Sequence, residues 1–162
     1  MKKRLAGILA LLMLLLLSAC VEEKTPEAGW SFTTNEGVTV AVGEKAAATL
    51  SALKAVEKEC TVNGSCWKDV SGEDVTYRYS GFRILTFRER EGDPDEIIRS
   101  VVFDSDAVKT QEGITVGSTV DAVEAAYGAP AGASYIYDKG NTRLQFTVRD
   151  GKVTGISYLV LE

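Results

Sequence analysis

The chain of 162 residues has no histidine, three prolines, two methionines and three cysteines. Without histidine it lacks the usual general base at neutral pH and the commonest metal ligand. This excludes Ser-His-Asp and Cys-His catalysis and any histidine-bearing zinc site. Gly-x-Ser-x-Gly and the glycine-rich phosphate loop are missing as well. Carboxylates cluster at Asp93-Pro94-Asp95-Glu96 and Asp104-Ser105-Asp106, but neither run has the Asp-x-Asp-x-Asp-Gly spacing of a calcium loop. Both read as solvated turns, so no metal and no other cofactor is expected. A pair of acids could serve a glycosidase only in a deep cleft, which a chain of this size has little room to form. The expectation is a protein that is not an enzyme.

Long apolar runs are also scarce. The longest, Leu5 to Leu17, follows Lys2-Lys3-Arg4 and is too short for a stable span, so it reads as the h-region of an export signal. The next four residues, Leu17-Ser18-Ala19-Cys20, resemble the lipobox of bacterial lipoproteins. That resemblance implies cleavage before Cys20, a lipid on Cys20 and attachment to a membrane outside the cytoplasm. Losing the three basic residues of the signal leaves 15 basic against 23 acidic side chains, which argues against nucleic-acid binding. An acidic chain gains nothing from an anionic lipid surface, so attachment rests on the acyl group. Residues 20–29 then read as the lipidated cysteine and a polar tether.

With Cys20 assigned to lipid, Cys60 and Cys66 form an even pair in an exported protein and are expected as a disulfide across an Asn63-Gly64 turn. A two-cysteine metal site lacks further ligands of the usual kind.

The rest of the chain repeats itself. Tyr77-x-Tyr79, Leu85-x-Phe87 and Ile98-x-x-Val101-x-Phe103 are matched by Tyr135-x-Tyr137, Leu144-x-Phe146 and Val153-x-x-Ile156-x-Tyr158. This divides the chain into a first repeat, 30–108, and a second, 109–162. The first repeat should hold a strand at Val38–Val42, a helix from Glu44 to Glu59, and strands near Val75–Tyr79, Phe82–Arg90 and Glu96–Asp104. The second should hold Ile114–Val116, a short helix capped near Thr119 and ended by Gly128, and strands near Ser134–Asp138, Thr142–Arg149 and Lys152–Leu161. The expected fold class is α+β: two tandem repeats, each a helix on one face of a three-stranded antiparallel sheet.

Alternation sends Tyr77, Tyr79, Leu85, Phe87, Val101 and Phe103 under the first helix. Arg78, Arg88, Arg90, Arg143 and Arg149 are expected on the opposite face, beside Ile84, Val102, Ile136, Leu159 and Leu161. Arginine among aliphatic side chains is a composition that protein interfaces favour. The repeat, from its strand through Tyr127-Gly128-Ala129-Pro130 to the meander, resembles the fold of the β-lactamase inhibitor protein and of the small lipoprotein of the barrel-assembly machinery. The resemblance implies a paired-sheet surface that grips a protein. The expected function is that of a lipid-anchored, non-enzymatic protein-binding module of the cell envelope. The alternatives are an inhibitor of a hydrolase and, third, a small envelope hydrolase.

Overall fold

A computed structural model describes residues 28–53, 59–65 and 71–161. The signal run, Cys20, the tether up to residue 27 and Cys66 lie outside the described residues. The strands are β1 (Ser31–Thr33), β2 (Thr39–Ala41), β3 (Glu59–Ser65), β4 (Gly72–Tyr79), β5 (Phe82–Arg88), β6 (Ile97–Phe103), β7 (Tyr135–Lys139), β8 (Thr142–Arg149) and β9 (Lys152–Val160); the helices are α1 (Ala46–Ala52) and α2 (Val120–Tyr127). Among the described residues no helix is long and apolar enough to cross a membrane.

Seven strands form one antiparallel sheet in the order β3-β4-β5-β6-β9-β8-β7. This overturns the expected pair of helix-on-three-strand layers. The two meanders fuse edge to edge where Val101 pairs with Tyr158 and Phe103 with Ile156, so one core runs beneath both. The helices are also too short to cover the sheet. α1 stops at Ala52 rather than Glu59, and each helix contributes a single buried residue, Ala46 or Val123. Most of the covering layer is the β1–β2 hairpin with Phe32, Val40 and Val42, joined by Val108 and Ile114 from the connection after β6. Phe32 sits over the seam, with its ring centroid 4.7 Å from that of Phe103, 5.3 Å from Phe82 and 5.8 Å from Tyr158. Aromatic burial of this size dominates a small core.

A backbone clasp recurs in the two halves. The Thr34 N–H donates to the Val38 carbonyl (2.9 Å) and the Val38 N–H returns to the Thr34 hydroxyl (3.3 Å); Thr110 and Ile114 do the same at 2.9 and 3.1 Å. Further on, the Gly43 N–H donates to the Ile98 carbonyl and the Gly117 N–H to the Val153 carbonyl, both at 2.8 Å. The sequence signal was present in Thr-Asn-Glu-Gly-Val-Thr-Val at 34–40 and Thr-Gln-Glu-Gly-Ile-Thr-Val at 110–116. In the second copy this segment stays a loop, so Ile114–Val116 is not the strand that was expected.

Several local expectations hold. Thr119 caps α2, its hydroxyl accepting the Ala122 N–H at 3.3 Å, and Gly128 ends the helix at φ 84°, where a Cβ would be strained. Asp150 (φ 52°) and Gly151 (φ 73°) make the left-handed turn that joins β8 to β9. One local expectation fails. Asn63 and Gly64 are not a turn but paired residues of β3, opposite Asp74 and Glu73.

Candidate protein-docking face

The inner face of the sheet is covered by the hairpin, helices and connection, which leaves the outer face of β4, β5, β6, β9 and β8 as the broad open surface. Its composition is set by register. The two-residue Ser80-Gly81 loop pairs Tyr79 with Phe82, which places Ile84 opposite Tyr77 and Leu85 opposite Thr76. Ile84 is therefore in the core, fully buried, and Leu85 points outward. This reverses the expected sides of both residues. Phe87, expected inside, follows Leu85 outward; it pairs with Asp74 and lies over Gly72, where an added Cβ would come within 2.6 Å of the ring.

A bulge between β5 and β6 adds Arg99 to this surface. Leu85 pairs with Ser100 and Thr86 with Ile98, leaving Arg99 as the extra residue, and its guanidinium meets the Asp74 carboxylate at 2.8 Å. Arg83 donates to Asp104 at 2.7 Å, and Arg143 grips both oxygens of Asp138 at 2.7 and 2.9 Å. The bond from Arg143 holds the Asp138 carboxyl below its ordinary pKa, and Asp138 raises that of Arg143. Arg78 is exposed on the same side, opposite Arg83.

Two shallow grooves run into each other across this face. One, of about 180 Å³, is lined by Thr76, Arg78, Arg83, Leu85, Ser100 and Val102. The other, of about 330 Å³, lies between Leu85, Arg99, Ser100, Arg143 and the Leu159–Leu161 run. Leu85 and Ser100 belong to both. The result is an aliphatic floor with guanidinium groups along its sides, most of them already oriented by a carboxylate.

Of the five arginines expected here, Arg78, Arg143 and, at the far end of β8, Arg149 are on the outer side, and two are not. Arg88 lies on the inner side of the sheet, in register with Glu73 and bonded to it at 2.8 Å. Burial disfavours its charge, but the bond to Glu73 and the nearby Glu96 raise its pKa all the same. Arg90 falls in the β5–β6 loop beside a cavity of about 310 Å³ that also touches Phe87 and Asp93. Arg149 ends β8 at the Asp150-Gly151 turn. Arg83 and Arg99, which alternation alone did not single out, take their place.

The acidic runs prove to be local scaffolding. The Asp93 carboxylate accepts the backbone N–H groups of Glu89 (3.0 Å) and Asp95 (2.9 Å), which hold it below its usual range. Among the described residues no three His, Cys, Asp or Glu side chains gather as metal ligands. No family model matches the chain, and neither a curated protein nor a solved structure matches it.

Proposed function

We propose that this is a lipid-anchored protein of the bacterial cell envelope, held outside the cytoplasm by an acyl group on Cys20, and that its folded part is a non-enzymatic module that binds another protein through the outer sheet face. The anchor rests on Lys2-Lys3-Arg4, the apolar run and Leu17-Ser18-Ala19-Cys20. The observation that carries the binding role is the outer face itself. Leu85, Val102 and Leu159 make an apolar floor, and Arg83, Arg99 and Arg143 are held beside it by Asp104, Asp74 and Asp138. Guanidinium groups oriented before contact lose less rotamer entropy on binding, and arginine with aliphatic surface is a recurrent hot-spot mixture.

The test is capture from native membranes with the full chain as bait. Arg83→Glu with Arg143→Glu should remove whatever protein the wild type retains, while Lys109→Glu, on the connection that covers the inner face, should leave it. Equal retention by both variants would reject the face.

A further inference from the structure

The described residues include 17 acidic and 11 basic ones, so the domain as a whole is acidic. Its outer sheet face is not. The registers and ion pairs put Arg78, Arg83, Arg99, Arg143, Arg149 and, opposite Arg149, Lys152 on that side, against Asp74, Asp104 and Asp138. The excess of base stands even when Glu59, in backbone register with Arg78, is counted with the acids. More than half of the basic residues therefore share one face with fewer than a quarter of the acidic ones. The grooves repeat this at short range. Arg78 and Arg83 flank one, Arg99 and Arg143 the other, and no described acidic side chain lines either. The aspartates hold the guanidinium groups in place without using them up, since Arg83 commits one N–H donor to Asp104 and Arg143 two to Asp138.

We propose that the occupant of the outer face is an acidic segment of another protein, its Asp or Glu carboxylates meeting Arg83 and Arg143 and its aliphatic side chains covering Leu85 and Val102. This rests on the docking role proposed above and names the chemistry of the partner. An acidic domain with a basic face repels an acidic partner from its other sides and turns that face toward it, which favours the correct encounter over the wrong ones. Two copies of this chain meeting by the same face would set base against base. A flat anionic bilayer fits less well. Surface binding of that kind needs apolar groups that project into the lipid, whereas Leu85, Val102 and Leu159 are half-buried residues of a groove floor, within reach of an inserted side chain.

The experiment uses the full chain in native membranes, with a benzoylphenylalanine photo-crosslinker in place of Leu85 and, separately, in place of Ser157, which the register puts on the same face beside Val102. Irradiation should attach a protein at both positions. Mass spectrometry of the product should map the crosslink to a segment in which Asp and Glu outnumber Lys and Arg. Raising the salt from about 0.1 M to about 1 M, which shortens the screening length from about 10 Å to about 3 Å, should lower the yield at least fivefold. A segment without that excess of acid, or a yield that salt does not lower, overturns the acidic occupant while leaving the docking face intact. Crosslinks to lipid alone, or no product from either position, overturn both.

Discussion

Asp138 and Arg143 stand in register on β7 and β8, and the guanidinium donates to both carboxylate oxygens. The Asp138 carboxyl is held down in the folded protein, so the pair's contribution is complete above the ordinary aspartate pKa of about 3.9 and is lost as pH falls through the lower folded value. NMR titration should find Asp138 below the ordinary value in the wild type and moved up in Arg143→Gln. Identical titration in the two would mean that the pair does not form in solution. Tyr158 poses the opposite case. Its ring packs against Phe32 and Phe103, but its buried hydroxyl has no hydrogen-bond partner among the described residues, and burial pushes its pKa up. An unsatisfied buried hydroxyl costs about 1–3 kcal/mol. Tyr158→Phe should therefore unfold at the same denaturant concentration as wild type or a higher one, and a clear loss of stability would show that the hydroxyl is bonded.

At the level of elements, the β4–β5 hairpin decides which side each residue of Phe82–Phe87 takes. The run Phe-Arg-Ile-Leu-Thr-Phe is apolar at both phases of a two-residue period, so alternation has two solutions. The tight Ser80-Gly81 loop selects the one that buries Ile84. Ile84→Ala should cost about 2–5 kcal/mol in urea unfolding, as buried aliphatic truncations do. Leu85→Ala should cost under about 1 kcal/mol, as substitutions away from the core do. Equal losses would contradict the register. At the far edge of the sheet, Trp30 protects β7. Its indole N–H donates to the Tyr137 carbonyl at 2.9 Å, its backbone N–H to the Thr142 hydroxyl at 2.8 Å, and Lys139 lies over its ring. A covered edge carbonyl is one fewer group to pair with a foreign strand. The first described residues are thereby fastened to the β7–β8 hairpin.

At the scale of the whole molecule, the proposed anchor and the expected disulfide are both read from the covalent state of the cysteines. Mass spectrometry of the protein extracted from the envelope, after alkylation of free thiols, should show a mature chain beginning at an acylated Cys20 and a bond between Cys60 and Cys66. An unmodified Cys20 inside a longer chain would end the anchor proposal, and two alkylated thiols would end the disulfide. Such a bond would have a structural consequence. It brings two Cα atoms within about 7 Å, whereas an extended run from Cys60 to Ser65 spans about 16 Å. Cys60 pairs with Tyr77 in β3, so oxidation and the full β3–β4 ladder compete, and the Val62 amide should exchange with solvent faster in the oxidised protein.

Much of the local structure was legible in the sequence because it is set by neighbours along the chain. Thr119 and Gly128 bracket α2 by capping chemistry, Asp150-Gly151 demands a left-handed turn, and the strands from β4 to β9 fall close to where alternating runs lie between turn residues. What local pattern could not supply was anything that depends on a second segment. The joining of β6 to β9, which makes one sheet of two meanders, is a contact between strands some 55 residues apart. The pairing of Asn63-Gly64 within β3 overrides a strong turn signal because β4 offers partners for its backbone groups. The composition of the outer face followed the same logic. Arg143 could be placed from its own strand, but Arg88 went inward to Glu73, and Arg99 came outward on a bulge that exists only because β5 and β6 are paired out of step. The sequence by itself determined where turns, caps and strands occur, since those are short-range energies. Only the tertiary structure decided which faces those strands share, because a face is a property of register between segments.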